Sequence, residues 1–417
     1  MSTPTVSAAP RRAARQRAAR QAPVIGTDTR DRKRLLWAIG LLVPLLPLLS
    51  ARLVSITGSD WAWGFGVPFV FVIIPLLDLV MGKDTNNFSP QFWESIQHDR
   101  YYRYLTYAFI PIQFATLFWS ARLLTSGELS IIGSIGLSLT VGIVSGVAIN
   151  TAHELGHKHP TIEQWLAKIA LAPACYGHFF IEHNRGHHKN VSTPLDPASS
   201  QMGETFYEFW WRSVSGSVRS AVSLESTRAR RTGRSFWSPR NDVLNAWAMS
   251  IALFAVMTAF FGLAVLPWMA LQAIIGFSLL EIVNYLEHYG LLREQRPDGR
   301  YVRTQPQHSW NANNVMTNLL LFHLQRHSDH HANPTIRYQA LRHFPDTPQL
   351  PTGYAGMIVL AAVPPLWRRV MDPKVVAHYG GDLSKINMHP HYRRMMESGA
   401  LPRSLQGIQG AVTPLPH

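Results

Sequence analysis

LSIIGSIGLSLTVGIVSGVAINTA, residues 129–152, holds no charged side chain and runs straight into HELGH, residues 153–157. As a helix rising 1.5 Å per residue, a run of this length covers the ~30 Å of bilayer hydrocarbon. Its exit from the apolar zone is marked by two histidines four positions apart. Working outward, four more uncharged windows stand at Leu35–Ala51, Trp61–Leu77, Tyr104–Ala121 and Val243–Leu280. The last is too long for one helix and contains Pro267. It reads as a hairpin of two spans, the first ending near Leu266 and the second running from Trp268 to about Leu286. None of the windows alternates like a barrel strand, so helices must satisfy the backbone in lipid.

The expectation is an all-α integral membrane protein of six transmembrane helices with a cytoplasmic helical cap. Ile169–Ile181 is too short to span and reads as interfacial or re-entrant. Leu350–Trp367 contains Pro351, Pro364 and Pro365 and reads as a peripheral segment under the bundle. Arg11, Arg12, Arg15, Arg17, Arg20, Arg30, Arg32, Lys33 and Arg34 precede the first span, which puts the N-terminus in the cytoplasm. The alternative for this Ala/Arg/Ser-rich start is a transit peptide. Six spans return the C-terminus to the same side. The expected organisation is a basic arm over 1–34, a membrane domain over 35–290 with a cytoplasmic insertion at 153–242, a cytoplasmic region over 291–402 and a flexible tail over 403–417. A bacterial inner membrane is the expected location.

Composition agrees. Of 417 residues, 47% are hydrophobic and only 15% charged, against about 25% charged in soluble domains. The single cysteine, Cys175, excludes a disulfide scaffold, a CxxC redox pair and a cysteine-held zinc or iron–sulfur site. The net charge of +14 comes without a nucleic-acid-binding motif, so no nucleic-acid partner is expected. Positive-inside topology and an acidic protein partner both account for it.

Nine of the 19 histidines fall in four tight groups, each at or beyond the cytoplasmic end of an expected span. They are His153 and His157 in HELGH; His183, His187 and His188 in EHNRGHH; His288 in NYLEHYG; and His327, His330 and His331 in QRHSDHH. Residues i and i+4 share a helix face, so the HxxxH pairs can serve one metal. His188, turned about 100° from His187, suits a second metal or one metal approached from two sides. Nine imidazoles exceed the needs of one tetrahedral zinc. Two metals with four or five nitrogens each use the set, and nitrogen ligation with vacancies favours redox-active iron over magnesium or calcium. Glu154, Glu182, Asp196, Glu281, Asn284, Glu287 and Asp329 stand where they can orient the rings. Glu281 is an acid inside an apolar window, a functional candidate by position. His98, His159, His178, His308 and His343 lack such partners, as does His323, one turn before His327.

The three boxes HxxxH, HxxxHH and HxxHH resemble the integral-membrane, histidine-rich diiron family of desaturases, hydroxylases and monooxygenases. Within it, Asn284-Tyr-Leu-Glu-His-Tyr-Gly290 resembles the signature of the alkane 1-monooxygenases and of their xylene-oxidising relatives. The resemblance covers about Leu35 to Pro348. It implies a six-helix membrane enzyme that hydroxylates the terminal methyl of medium-chain n-alkanes, with two irons, O2 and electrons from rubredoxin supplied by its reductase. With one cysteine here, the carrier is expected to be a separate protein or a domain outside this sequence. The basic residues Arg228, Arg230, Arg231, Arg234 and Arg240, with Arg393 and Arg394, are candidates to dock it; ordinary positive-inside topology is the alternative for them. Terminal attack requires an apolar channel that admits the chain end-first. Trp61, Trp63, Phe69, Phe71, Phe277, Leu279 and Leu280 are possible walls.

Three rival readings remain at this level. HELGH also satisfies the HExxH pattern of a membrane zinc protease, with Glu154 as base, but leaves seven motif histidines without a role. A fatty-acid desaturase or sterol-type hydroxylase shares the boxes but lacks the Asn284–Gly290 element. A heme-binding or metal-transport protein is the third.

Overall fold

The computed structural model describes residues 26–411. Among them there are helices and isolated β-bridges but no β-strand. The helices that matter for the site are α1 (Arg34–Thr57), α2 (Gly66–Met81), α3 (Arg100–Thr125), α4 (Ile131–Gly156), α5 (Thr161–Leu171), α6 (179–190), α7 (Phe206–Arg231), α8 (Asp242–Phe261), α9 (Leu266–His288), α10 (His327–Ala332), α11 (Tyr354–Ala361) and α12 (Pro364–His378).

Local sequence explains where several of them begin. Asp99 accepts the Tyr101 N–H at the start of α3, and Ser130 accepts the Gly133 N–H at the start of α4. Asn241 accepts two amides at the start of α8, and Thr205 with Glu208 forms a reciprocal capping box on α7. α1, α4, α8 and the 263–288 helix are long and apolar enough to cross a membrane. α2 is apolar but shorter. α3 matches the expected window at Tyr104–Ala121 and is 26 residues long, but it is not among the four.

The hairpin between α8 and α9 turns earlier than the proline suggested. α8 stops at Phe261 because Gly262 takes φ +73°. Pro267 then sits in the first turn of α9, where its missing N–H leaves nothing unpaired. Proline therefore starts the second helix here. Ile169–Ile181 is likewise not one segment: α5 ends at Leu171 and helix resumes at Phe179. Leu350–Trp367 breaks at Pro364 into α11 and α12, and Tyr354, Met357, Ala361 and Trp367 pack against Tyr285 and Tyr289 of the α9 end. One face of this segment is core, while Val359, Val363 and Leu366 on the other are exposed. The expected tail stays attached as far as Leu405, which is fully buried. The arginines at 11, 12, 15, 17 and 20 lie outside the described residues.

The central contact is between α4 and α9. A β-carbon on Gly142 would lie 2.6 Å from Ile275 Cβ, and one on Gly146 would lie 2.9 Å from Leu279 Cδ1. This small-xxx-small stripe lets the two backbones approach closely, which is how helices associate in lipid without a hydrophobic driving force. Between them, Ser145 donates to Gln272 at 2.6 Å and Gln272 donates to the Pro173 carbonyl at 2.6 Å. Because α4 and α9 each end in a metal-box histidine, their spacing sets the spacing of the site. Gly142→Leu should force the helices apart at a cost of about 1–3 kcal/mol, read as a lowered thermal midpoint in detergent; an unchanged midpoint would mean the stripe does not set the contact.

Candidate metal centre

Four elements bring nine imidazoles together, and they form two adjoining groups. His153 and His157 leave the end of α4, His183 and His188 come from α6, and His330 from α10; these five make the first group. His187, His288, His327 and His331 make the second. Within each group the candidate ligand atoms, one from each ring, all lie within 4.8 Å of one another. The boxes are therefore split. Neighbours 187 and 188 serve different groups, as do 330 and 331.

One local distortion produces the split on α6. The segment His183–His187 is π-helical, and the His188 N–H donates to the His183 carbonyl. The wider turn brings residues five apart onto one face, so His183 pairs with His188 at Nε2–Nε2 3.1 Å. The i, i+4 pairing of His183 with His187 expected from ordinary helix geometry is thereby replaced. α4 and α10 keep the ordinary spacing, as His153–His157 and His327–His331 show. Gly186 makes the packing possible: a β-carbon there would lie 2.5 Å from Glu182 Oε1.

The donor set fits metal ions. In the first group His188 Nε2 lies 3.1 Å from that of His183 and 3.2 Å from that of His330. In the second, the Nε2 atoms of His187, His331, His327 and His288 follow at 3.3, 2.8 and 3.2 Å. Ligands ~2.1 Å from one ion at right angles to each other stand ~3 Å apart, which is this spacing. His153 Nε2 and His157 Nε2 are buried with no hydrogen-bond partner, a costly state unless a cation takes the lone pair. Burial holds His183, His188, His327, His330 and His331 well below the usual imidazole pKa. They are neutral and able to donate.

The acids divide by what they touch. Asp196 lies 2.9 Å from His187 Nδ1 and accepts Ser199 Oγ at 2.6 Å, so it turns the His187 Nε2 lone pair inward. Glu287 brings Oε2 to 3.2 Å from His327 Nε2. Asp329 reaches no ring. Arg342 and Asn333 take its carboxylate, which pins α10 from behind. Glu182 accepts from Ser220, Glu281 accepts from Tyr176 at 2.7 Å, and Asn284 lines the adjoining cavity. Glu154 is ion-paired with Lys158 at 3.1 Å and accepts the Tyr338 N–H. Tied up in this way, it is not presented as the base that a zinc protease requires.

Lys158, which ends the HELGHK stretch, carries no role in the sequence reading. Buried, it also donates to the Ile336 carbonyl at 2.7 Å and fastens the HELGH end to the chain after α10. A lysine after a histidine box is common enough to carry no signal alone. Among the unassigned histidines, His323 lies outside both groups, its Nδ1 on the Tyr338 carbonyl at 2.9 Å and its ring edge-on to Trp37. His308 and His343 have their own hydrogen bonds, and His98 and His159 are exposed. His178 is buried, without a partner for Nε2.

An apolar cavity of about 90 Å³ opens onto both groups, with His153, His183 and His327 in its wall. That is several times the ~10–15 Å³ that admits one water. Leu279 and Leu280 line it as expected, joined by Val43, Ile143 and Ile358. Trp61, Trp63, Phe69, Phe71 and Phe277 do not. Trp61 is 77% exposed, and Phe277 stacks on Tyr176. Of the basic residues, Arg228 is held by Glu225 and the Arg240 carbonyl, whereas Arg230, Arg231, Arg234, Arg240, Arg393 and Arg394 are exposed. Arg185 of the α6 box pairs with both Glu225 and Asp242, linking the box to this basic end of α7.

Asp196→Asn should weaken metal binding about 10–100-fold by releasing the His187 ring. The check is a metal titration of the purified variant beside the wild type, and equal affinities would remove Asp196 from the site.

Residues 130–361 match the fatty acid desaturase family. Alkane 1-monooxygenase of Acinetobacter baylyi is 47% identical over 366 residues, 87% of this chain and 90% of the relative. Alkane 1-monooxygenase 1 of Alcanivorax borkumensis is 45% identical over 384 residues, covering 92% and 94%. The xylene/toluene monooxygenase hydroxylase component of Pseudomonas putida is 28% identical over 321 residues, covering 74% and 81%. With its histidines gathered in two groups, three of them at the ends of the membrane-length α4 and α9, the chain belongs to the fatty acid desaturase family and, within it, to the alkane 1-monooxygenases.

Proposed function

We propose that this integral membrane protein hydroxylates the terminal methyl of medium-chain n-alkanes, using O2 and electrons from rubredoxin. The observation that carries the reading is the meeting of an apolar cavity with both histidine groups: His153, His183 and His327 stand where a chain inserted among the helices would end. The relatives named alkane 1-monooxygenase support the same assignment.

Two irons are assigned to the groups, one to His153, His157, His183, His188 and His330, the other to His187, His288, His327 and His331. Bound iron would supply the activation of O2 and the insertion of one oxygen atom into a C–H bond. The protein supplies position. A primary C–H bond is stronger than the secondary ones beside it, so selectivity for the chain end must come from walls that fix which carbon arrives. Leu279, Leu280 and Ile143 exclude water and align the chain, and Asp196 keeps the His187 tautomer that leaves Nε2 free. Glu154, Glu182, Glu281, Asn284 and Asp329 act further out, holding the elements that carry the rings.

The proposed topology has six spans, adding α2 and α3 to the four long apolar helices, in a bacterial inner membrane with both termini and the metal centre in the cytoplasm. The Lys/Arg excess before α1 and at the end of α7 supports this orientation. The proposed organisation keeps the arm at 1–34, the membrane domain at 35–290 with the insertion 153–242, and the cytoplasmic region from 291. Rubredoxin is assigned to the basic face at the end of α7, Arg230, Arg231, Arg234 and Arg240; Arg393 and Arg394 stand at the opposite end of α7, where Tyr392 packs on Gly203. Arg228, engaged with Glu225, braces that face.

Membranes supplied with rubredoxin, its reductase and NADH should convert a linear alkane overwhelmingly to the 1-alcohol. A mixture rich in 2- and 3-alcohols would overturn end-first positioning, and preferential oxidation of xylene methyls would favour the activity named in the 28% identical relative. Under limiting rubredoxin, Arg230/Arg231/Arg234→Gln should turn over more slowly and show a flatter ionic-strength response, iron content unchanged. Identical rates and salt slopes would leave these arginines as a topology signal.

A further inference from the structure

Tyr289 directly follows His288, and its surroundings tie the metal centre to a distant part of the chain. Its hydroxyl donates to Asp372 Oδ1 at 2.8 Å and accepts the Gly203 N–H at 2.7 Å. Its carbonyl accepts Trp310 Nε1 at 2.9 Å. Asp372 lies on α12, fully buried, and its other oxygen accepts Ser404 Oγ at 2.6 Å and the Tyr392 hydroxyl at 3.3 Å. Three hydroxyls thus converge on one buried carboxylate, with no cation bonded to it among the described residues.

The backbone repeats the connection. The Gly290 N–H donates to the Ser200 carbonyl, the Asn387 N–H to the Gly290 carbonyl, the Met202 N–H to the Asn387 carbonyl and the His389 N–H to the Met202 carbonyl. Gly290 has φ +73°, and a β-carbon there would lie 2.7 Å from Val375 Cγ1. Three segments, 200–203, 289–291 and 387–389, are therefore knotted together. Next to the first, Ser199 holds Asp196 and Asp196 holds His187. From the second, His288 is one residue away. Both histidines belong to the four-membered group.

We infer that Asp372 is a positioning residue for the four-histidine site: through Tyr289 and the 200–203 segment, the chain beyond the histidine boxes holds His288 and His187 in register with His327 and His331. The nearest link toward the five-histidine group comes from Arg293, two residues beyond this knot, which donates to the Lys189 carbonyl beside His188 at 2.7 Å; neither Tyr289 nor Asp372 takes part in it. The inference rests on the two-metal reading above, and its test separates the two.

The experiment loads purified, detergent-solubilised full chain with ferrous ion and records iron per chain and the ferrous Mössbauer spectrum. His157→Ala identifies the signal of the five-histidine site. Wild-type protein binding two irons upholds the two-metal reading; one iron would refute that reading, whatever the variants do. Given two, Asp372→Ala and the milder Tyr289→Phe should bind iron at least about tenfold more weakly at the four-histidine site and keep the other site's signal. Equal loss at both sites, or no loss at either, in Tyr289→Phe protein with wild-type circular dichroism would overturn the positioning role. A purely structural contact would lower the thermal midpoint without changing the ratio of the two signals.

Discussion

Everything in this protein bends to one constraint: nine imidazoles bring ring nitrogens to two adjoining points inside a bundle that excludes water. Unpaired acceptors cost free energy when buried, and rings pointed at one another have no reason to stay there without a cation between them. The fold answers by mounting the rings on the ends of helices that are already fixed by other contacts. α4 and α9 lie against each other through glycine. α10 is clamped from behind by the Asp329–Arg342 pair, and α6 is anchored through Arg185 to α7 and α8.

The same logic explains how the acids are used. A carboxylate coordinated to iron would lower the charge of the centre, and most of the acids here stand back from it. They clamp backbone, cap helices or fix a ring tautomer. Asp196 acts on His187 directly; Asp329 acts on the helix that carries three of the rings; Glu154 ties α4 to the chain after α10 through Lys158. A centre built mainly from neutral ligands remains electron-poor, which suits an oxidant. The apolar wall beside it is the place where the proposed function seats the chain end of an alkane.

Much of this was legible in the residues. The uncharged run at 129–152, ending in HELGH, declares a membrane helix with a metal box at its mouth, because no other structure accommodates that many apolar residues in sequence. The boxes at 183–188 and 327–331 are legible because three imidazoles within six residues are rare without a ligand, and His288 is legible through the NYLEHYG stretch around it. The glycine stripe at 142 and 146 was present but unread, since glycine within an apolar run signals packing only when its partner is known. Gly262 outweighed Pro267 as the hairpin signal because glycine ends a helix at a left-handed residue while proline is welcome in a first turn.

By itself the sequence singled out the nine histidines that the fold gathers and the apolar helices that carry three of them. Those properties are set by residue type and local periodicity. Tertiary structure alone decided how the nine rings divide, because a π-turn shifts His188 by one position and no local pattern announces it. It also decided which acids face the metal, which leucines face the cavity, and that His323 belongs to the packing around Trp37. Each of these depends on what residues far away in the chain place opposite, as α12 does for Tyr289, and sequence spacing carries no information about that.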